Sequence, residues 1–192
     1  MPKRKAHSFH RPMLVALLGG GIDSTVMLSL YRQKGTPIVG IHYDYGQKAL
    51  NGERRAVRKI ARRYGVPVRW RRLEVPIKKR GDEYLDRNAL FVLAAAAEFG
   101  LKPLRIGLGA HARSPYYDCT RHFIESMQNL LDGYFNGAVV VETPLIGSTK
   151  AEIVAYGRRH RVPLSATFSC TRAAVHPCGR CPSCIDRAVL GV

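Results

Sequence analysis

The sequence predicts an α/β domain in which a parallel β-sheet is covered by helices on both faces, and three observations carry that prediction. Apolar runs of strand length alternate with helix-length stretches whose apolar residues recur every three to four positions, the pattern of strand, crossover helix and parallel strand. The first apolar run ends in three consecutive glycines that lead straight into a helical pattern. The chain has 192 residues, of which 46% are hydrophobic, the length of one domain with apolar area for a substantial core.

Each element follows in order. Residues 1–12 are polar and basic and are expected to form a flexible N-terminus, leaving 13–192 as the single folded domain. The run 13–18 reads as a buried parallel strand meeting a tight turn. From 23 to 33, Val26, Met27, Leu30 and Tyr31 recur at helical spacing, with Gly35 near the C-cap. Residues 37–43 form a second apolar strand. The stretch 49–64 then places Ala56, Val57, Ile60, Ala61 and Tyr64 on one face and arginines on the other, as an amphipathic crossover helix does. A short third strand is expected over 66–75, and an alanine-rich helix over 87–99 closed by Gly100. Residues 104–108 supply a fourth strand, 114–129 a further helix, 138–143 a fifth strand and 150–159 a helix that ends before Val162-Pro163. The sequence has no internal repeat and no low-complexity tract.

Composition narrows the function. The longest apolar run, 89–97, is far short of the roughly 18 residues of a membrane span and reads as a buried helix. Lys3, Arg4 and Lys5 are not followed by the apolar core and small-residue cleavage site of an export signal, so a cytoplasmic protein is expected. Four of the five cysteines crowd between 170 and 184, and in a reducing compartment such crowding favours metal over disulfides. The formal charge of +17 suggests a polyanionic partner, nucleic acid or protein. It is local: Arg54, Arg55, Arg58, Lys59, Arg62, Arg63, Arg69, Arg71, Arg72, Lys78, Lys79 and Arg80 face only one acid, Glu74, between 54 and 80. The plainer reading of this segment is a solvated helix face.

The strongest local signal is Leu18-Gly19-Gly20-Gly21-Ile22-Asp23-Ser24, seated between a strand and a helix. Glycines there let backbone N–H groups approach phosphate oxygens, the helix N-terminus adds partial positive charge, and Ser24 can donate a further hydrogen bond. The Gly-Lys-Ser/Thr ending of a Walker loop is missing, as is the three-glycine dinucleotide spacing. The second signal is Cys170, Cys178, Cys181 and Cys184. Four sulfurs at this spacing suit tetrahedral zinc, and an iron–sulfur cluster is the alternative. With four protein ligands the ion would be structural. Cys119, outside the cluster, reads as a small buried residue rather than a nucleophile.

The glycine loop resembles the PP-loop of the ATP pyrophosphatases, Ser-Gly-Gly-x-Asp-Ser, which holds the departing pyrophosphate of ATP; here Gly19 stands where that family has serine. Further landmarks are Asp44-Tyr45-Gly46-Gln47, Arg87-Asn88, Tyr116-Tyr117-Asp118-Cys119, Glu142-Thr143-Pro144-Leu145, Thr149-Lys150 and Thr167-Phe168-Ser169-Cys170. With the cysteine cluster they resemble, from Leu14 to about Arg187, the 7-cyano-7-deazaguanine synthases, also called QueC or ExsB. The resemblance implies a Rossmann-like sheet of the adenine nucleotide α-hydrolase (HUP) type with a C-terminal zinc-binding segment at 165–192, and relatives that form homodimers. It also implies an ATP-dependent ligase that uses ammonia to turn the carboxylate of 7-carboxy-7-deazaguanine into a nitrile. By the same resemblance ATP, with Mg²⁺, is held by Leu18, Gly19, Gly20, Gly21, Ile22, Asp23, Ser24, Tyr43, Asp44 and Gln47. Asp23, Ser24 and Lys150 would be catalytic, and Arg87, Asn88, Tyr116 and Asp118 would hold the acceptor.

The chain departs from the family around that acceptor. Ala112-Arg113-Ser114-Pro115-Tyr116-Tyr117-Asp118-Cys119-Thr120 replaces Asp-Tyr-Ser-Gly-Tyr-Pro-Asp-Cys-Arg, and Leu85-Asp86 replaces Pro-Gly. Two alternatives therefore accompany the small-molecule reading. One is an enzyme that adenylates a macromolecule such as tRNA, DNA or protein; the other is a non-catalytic zinc-bearing module that binds nucleic acid.

Overall fold

Met13–Leu17 (β1) is the centre of the molecule, and its alternating side chains supply both cores. Leu14 and Ala16 point into one apolar cluster and Val15 and Leu17 into the other, as the two-residue period of a strand dictates. The structure, a computed structural model, describes residues 13–81, 83–100 and 102–192; the basic stretch 1–12 lies outside them.

The helix Ile22–Gln33 (α1) leads to Ile38–Asp44 (β2), and Leu50–Tyr64 (α2) leads to Val68–Arg72 (β3). A two-stranded antiparallel hairpin, Lys79–Arg80 (β4) with Glu83–Tyr84 (β5), follows. Then come Arg87–Phe99 (α3), Leu104–Gly107 (β6), Arg121–Phe135 (α4), Val139–Glu142 (β7), Lys150–Arg159 (α5) and Pro182–Val189 (α6). The main sheet runs β3-β2-β1-β6-β7 and every pairing in it is parallel. Helices α1, α2 and α5 pack with the cysteine segment on one face, and α3 and α4 on the other. The predicted α/β architecture is thus the observed one.

The differences lie where capping and prolines outweigh periodicity. The helix expected within 114–129 is α4, which starts at Arg121 and runs to Phe135. Thr120 caps it by accepting from the Phe123 N–H at 3.1 Å, after a 3₁₀ turn at Tyr117–Cys119. The hairpin and α6 are not visible as periodicity because both are too short. Asp86 enters α3 with φ 57°, in the left-handed region that a short acid side chain tolerates and glycine takes freely. The backbone there would equally suit the glycine of the Pro-Gly pattern that the sequence resembles.

Reading outward from β1, the chain turns to β2 on one side and to β6 on the other. Between the C-terminal ends of β1 and β6 lies the switch point where open α/β sheets form ligand crevices.

Candidate active site

The crevice at that switch point is a cleft of about 410 Å³, within the range of small-molecule sites. One wall is the glycine loop. Gly20 has φ +76°, and a Cβ on it would lie 2.9 Å from the Glu53 carbonyl and 3.1 Å from the Ala56 Cβ, so the loop packs against α2 in a form only glycine permits. Gly21 is the N-cap of α1 with no side-chain bond to it, which leaves the first-turn N–H groups available to a ligand. Ser24 Oγ makes only a long bond to the Gly21 carbonyl, 3.3 Å.

Lys150, the first residue of α5, ion-pairs with Asp23 in the first turn of α1. A capping box fixes the start of α5: Thr149 accepts from the Glu152 N–H, and Glu152 accepts from the Thr149 N–H at 2.7 Å. The other Asp23 oxygen, Oδ1, is buried without a partner among the described residues. A bare carboxylate oxygen beside a phosphate-type loop suits a hard cation such as Mg²⁺.

The opposite wall is aromatic and charged. Tyr43 stacks on Phe91 with ring centroids 4.7 Å apart, and Tyr45 meets Phe91 and Tyr84 edge-on at 5.3 and 5.1 Å. The Arg87 guanidinium bonds to the Tyr45 side chain. Buried Asn88 donates to the Asp118 carbonyl at 3.2 Å, joining α3 to the 3₁₀ turn. Burial pushes the Asp118 carboxyl up while Arg87 pulls it back. The Cys119 thiol is pushed up to about 11 by burial, so it is a protonated, packed side chain, as the sequence suggests.

Most residues singled out in the sequence meet in this one cleft. Leu18, Gly19, Gly21, Ile22, Asp23, Ser24, Tyr43, Arg87, Asn88, Tyr116, Asp118 and Lys150 all line it. Gly20, on the α2 side of the loop, does not line it, and Asp44 and Gln47 stand behind the lining. Asp44 pairs with Arg54 at 3.2 Å and accepts from the Gly46 N–H. Gln47 is buried; it accepts from the Tyr45 N–H at 2.9 Å and donates to the Tyr43 carbonyl and to Glu53 Oε2 at 3.0 and 2.7 Å. Gln47 thereby aims Glu53, a cleft residue that no sequence pattern singled out and whose carboxyl burial raises. Tyr45, Tyr84 and Phe91 were also missed, although Tyr45 sits inside a motif and aromatic spacing was the available signal.

The sulfur atoms of Cys170, Cys178, Cys181 and Cys184 all lie within 4.8 Å of one another. Two ligands of a single ion at ~2.3 Å cannot be more than about 4.6 Å apart, so the set fits one ion after slight contraction. Against the upward push of burial, backbone N–H groups of Thr171 and Cys184 draw the Cys181 thiol down, while burial and the neighbouring Cys181 and Cys170 sulfurs push Cys184 up, the opposed pair of crowded thiols that a bound cation would relieve by taking both as thiolates. The cluster adjoins the cleft: Pro182 and Ser183 in the first turn of α6, with Asp186 and Arg187 further along it, line its rim.

An open parallel sheet with a Walker-less glycine loop at its switch point, backed by an aspartate–lysine pair, defines the ATP-pyrophosphatase class of α/β proteins. The structure of NMN synthetase from Francisella tularensis shares this fold, with a TM-score of 0.55 and 14% identity, covering 94% of this chain and 77% of that one. The chain belongs to the QueC family: the family model described as "Queuosine biosynthesis protein QueC" matches residues 13–85 and 82–189. The 7-cyano-7-deazaguanine synthase of Synechococcus sp. (strain RCC307) is 30% identical over 200 residues, 88% of this chain and 90% of the relative. That of Campylobacter fetus subsp. fetus (strain 82-40) is 29% identical over 196 residues, 88% of each chain.

Proposed function

We propose that this chain is an ATP-dependent ligase that converts the carboxylate of 7-carboxy-7-deazaguanine to a nitrile with ammonia. One observation carries the reading: a single cleft is lined both by a phosphate-type loop with Asp23, Ser24 and Lys150 and by aromatic side chains with Arg87 and Asp118. A planar, polar heterocycle suits the second set as a triphosphate suits the first.

In this reading, loop N–H groups, Ser24 Oγ and Lys150 Nζ bind the β- and γ-phosphates, and Asp23 Oδ1 holds Mg²⁺, which supplies charge neutralisation when bound. Asp44 and Gln47 act behind the nucleotide by fixing the end of β2 and Glu53. Arg87, Asn88, Tyr116 and Asp118 orient the acceptor so that its carboxylate attacks the α-phosphorus in line. Pyrophosphate leaves, its growing charge met by donors already in place. Ammonia adds to the acyl adenylate, loses a proton and displaces AMP to give the amide. A second ATP then adenylates the amide oxygen, again with loss of pyrophosphate, and the carbon–oxygen bond breaks as nitrogen gives up its remaining protons. Excluding water matters twice, since either adenylate would otherwise hydrolyse.

The test is incubation with ATP, Mg²⁺, ammonium and 7-carboxy-7-deazaguanine, followed by mass spectrometry. The expected result is nitrile with two AMP per product molecule. AMP formed without nitrile assigns a different acceptor, and no AMP with any acceptor overturns the reading.

The finer assignments are proposals of the same kind. Residues 13–192 act as one catalytic unit, Cys170, Cys178, Cys181 and Cys184 hold structural zinc, and the protein works in the cytoplasm. Among the described residues no helix is long and apolar enough to cross a membrane. Exposed Leu130 and Tyr134 on α4 with Val140 on β7 offer an apolar face to a second copy. The outer face of α2 and the edge strand β3 form a basic surface. There Arg58 stands 5.3 Å over the Trp70 ring, and among the described residues Lys59, Arg62, Arg63 and Arg69 make no ion pair. If it meets a nucleic-acid backbone, the log of the association constant for a short duplex falls with log salt at a slope of about −3 to −4, and Arg58→Glu with Arg62→Glu flattens it. A slope near zero removes this partner.

A further inference from the structure

The strip Thr167-Phe168-Ser169-Cys170 reaches the glycine loop from the far end of the chain and is held there rigidly. The Phe168 N–H donates to the Gly20 carbonyl at 2.8 Å. The Phe168 ring fills the space over Gly52 so completely that a Cβ on Gly52 would lie 2.4 Å from it. The next residue, Ser169, lines the cleft, and its Oγ is buried with no hydrogen-bond partner among the described residues. It lies 3.6 Å from the point that a Cβ on Gly21 would occupy, which sets it beside the loop.

A buried hydroxyl without a partner is unfavourable, and a native structure retains one where something outside the protein completes it. The neighbouring Asp23 Oδ1 is in the same condition, but it can only accept, whereas Ser169 can donate. Gly19 supplies the other half of the argument. It is exposed and a Cβ there would have nothing within 4 Å, and its φ lies outside the left-handed region. The loop therefore has room for a hydroxyl-bearing side chain at this position and carries none.

We propose that Ser169 is a nucleotide-binding residue that donates its hydroxyl to an ATP phosphate oxygen at the loop and supplies the hydrogen bond that Gly19 cannot. The proposal rests on the assignment of the loop to ATP phosphates. Being on a strip pinned to Gly20 and Gly52, the donor is preorganised and loses little entropy on binding.

The test measures binding of Mg²⁺–ATP, inorganic pyrophosphate and AMP by calorimetry to the wild type, Ser169→Ala, Ser169→Thr and the double variant Gly19→Ser/Ser169→Ala. Losing a hydrogen bond to a charged group is expected to weaken ATP and pyrophosphate about ten- to hundredfold, with AMP affinity and the KM for the acceptor unchanged. Ser169→Thr, which keeps the hydroxyl, should bind ATP within about threefold of the wild type, and the Gly19→Ser change should restore most of the loss by replacing the donor from the other side. Equal ATP binding by wild type and Ser169→Ala overturns the proposal, as does a loss that extends to AMP and is not recovered by Gly19→Ser, which marks a packing role. A wild type that binds neither ATP nor pyrophosphate instead refutes the assignment of the loop itself.

Discussion

Replacing Lys150 with methionine is expected to lower kcat/KM for ATP about 10²- to 10³-fold, the usual cost of removing one donor aimed at developing transition-state charge, while shifting the melting temperature by only a few degrees. The charge pattern explains why one side chain matters so much. Asp23 occupies the first turn of α1, where the helix dipole welcomes an anion, and there it would compete with a bound phosphate for Lys150. Lys150 answers that carboxylate through its ion pair and faces the cleft. Without it, an uncompensated carboxylate would confront a triphosphate in a partly dry crevice. Stability changes less than activity: the side chains of Lys150 and Asp23 keep 25% and 22% of their surface in solvent at the cleft, so Asp23 can rehydrate when the lysine goes. The cost stays near the top of the roughly 0–1 kcal/mol of exposed pairs rather than the several kcal/mol of a fully buried one. The capping box that starts α5 uses Thr149 and Glu152 rather than Lys150, so the helix survives the change. Steady-state kinetics paired with a thermal melt decides the matter; activity within threefold of the wild type would remove Lys150 from the phosphate site.

The largest structural effect is expected from the cysteine cluster. Cys181 is completely buried and Cys170 is 2% exposed, and both belong to the apolar cluster that contains α1, α2 and α5. Cys181→Ser should abolish stoichiometric zinc and lower the melting temperature by more than about 10 °C, because structural zinc sites contribute on the order of 10 kcal/mol to folding in small domains. Elemental analysis of the purified wild type should return one zinc per chain. The consequence reaches the cleft, since the N-terminal turn of α6 forms part of its rim and Arg187 ties that helix to Thr167 by a 2.6 Å hydrogen bond. Loss of the metal should therefore also weaken ATP binding, and limited proteolysis should cut first between 165 and 192. A metal-free protein with an unchanged melt and an intact C-terminal segment would refute a structural ion.

How much of this was legible in sequence depends on whether the signal was local. The glycine loop and the cysteine spacing are local, since three glycines between an apolar strand and a helix have few other uses, and four thiols within fifteen positions have fewer. The acceptor wall is assembled from β2, the hairpin, α3 and the 3₁₀ turn, and no spacing rule connects them. Gln47 shows the limit well: its place in a motif pointed to the ligand, whereas the fold uses its amide to bridge Tyr43, Tyr45 and Glu53 and so hands the cleft-facing position to Glu53. Asp44 likewise spends its carboxylate on Arg54 and the Gly46 N–H.

By itself the sequence determined the alternation of strands and helices, the glycine turn after the first strand and the thiol cluster, because each arises from contacts along the chain or from the chemistry of one residue type. The tertiary structure decided that Lys150 would meet Asp23 from 127 positions away and that Ser169 would come to rest beside Gly21 with no hydrogen-bond partner among the described residues. It also decided that the α6 turn would border the cleft. These are pairings across the sheet and its crossovers, set by which apolar faces must be buried together, and a linear pattern carries no record of them.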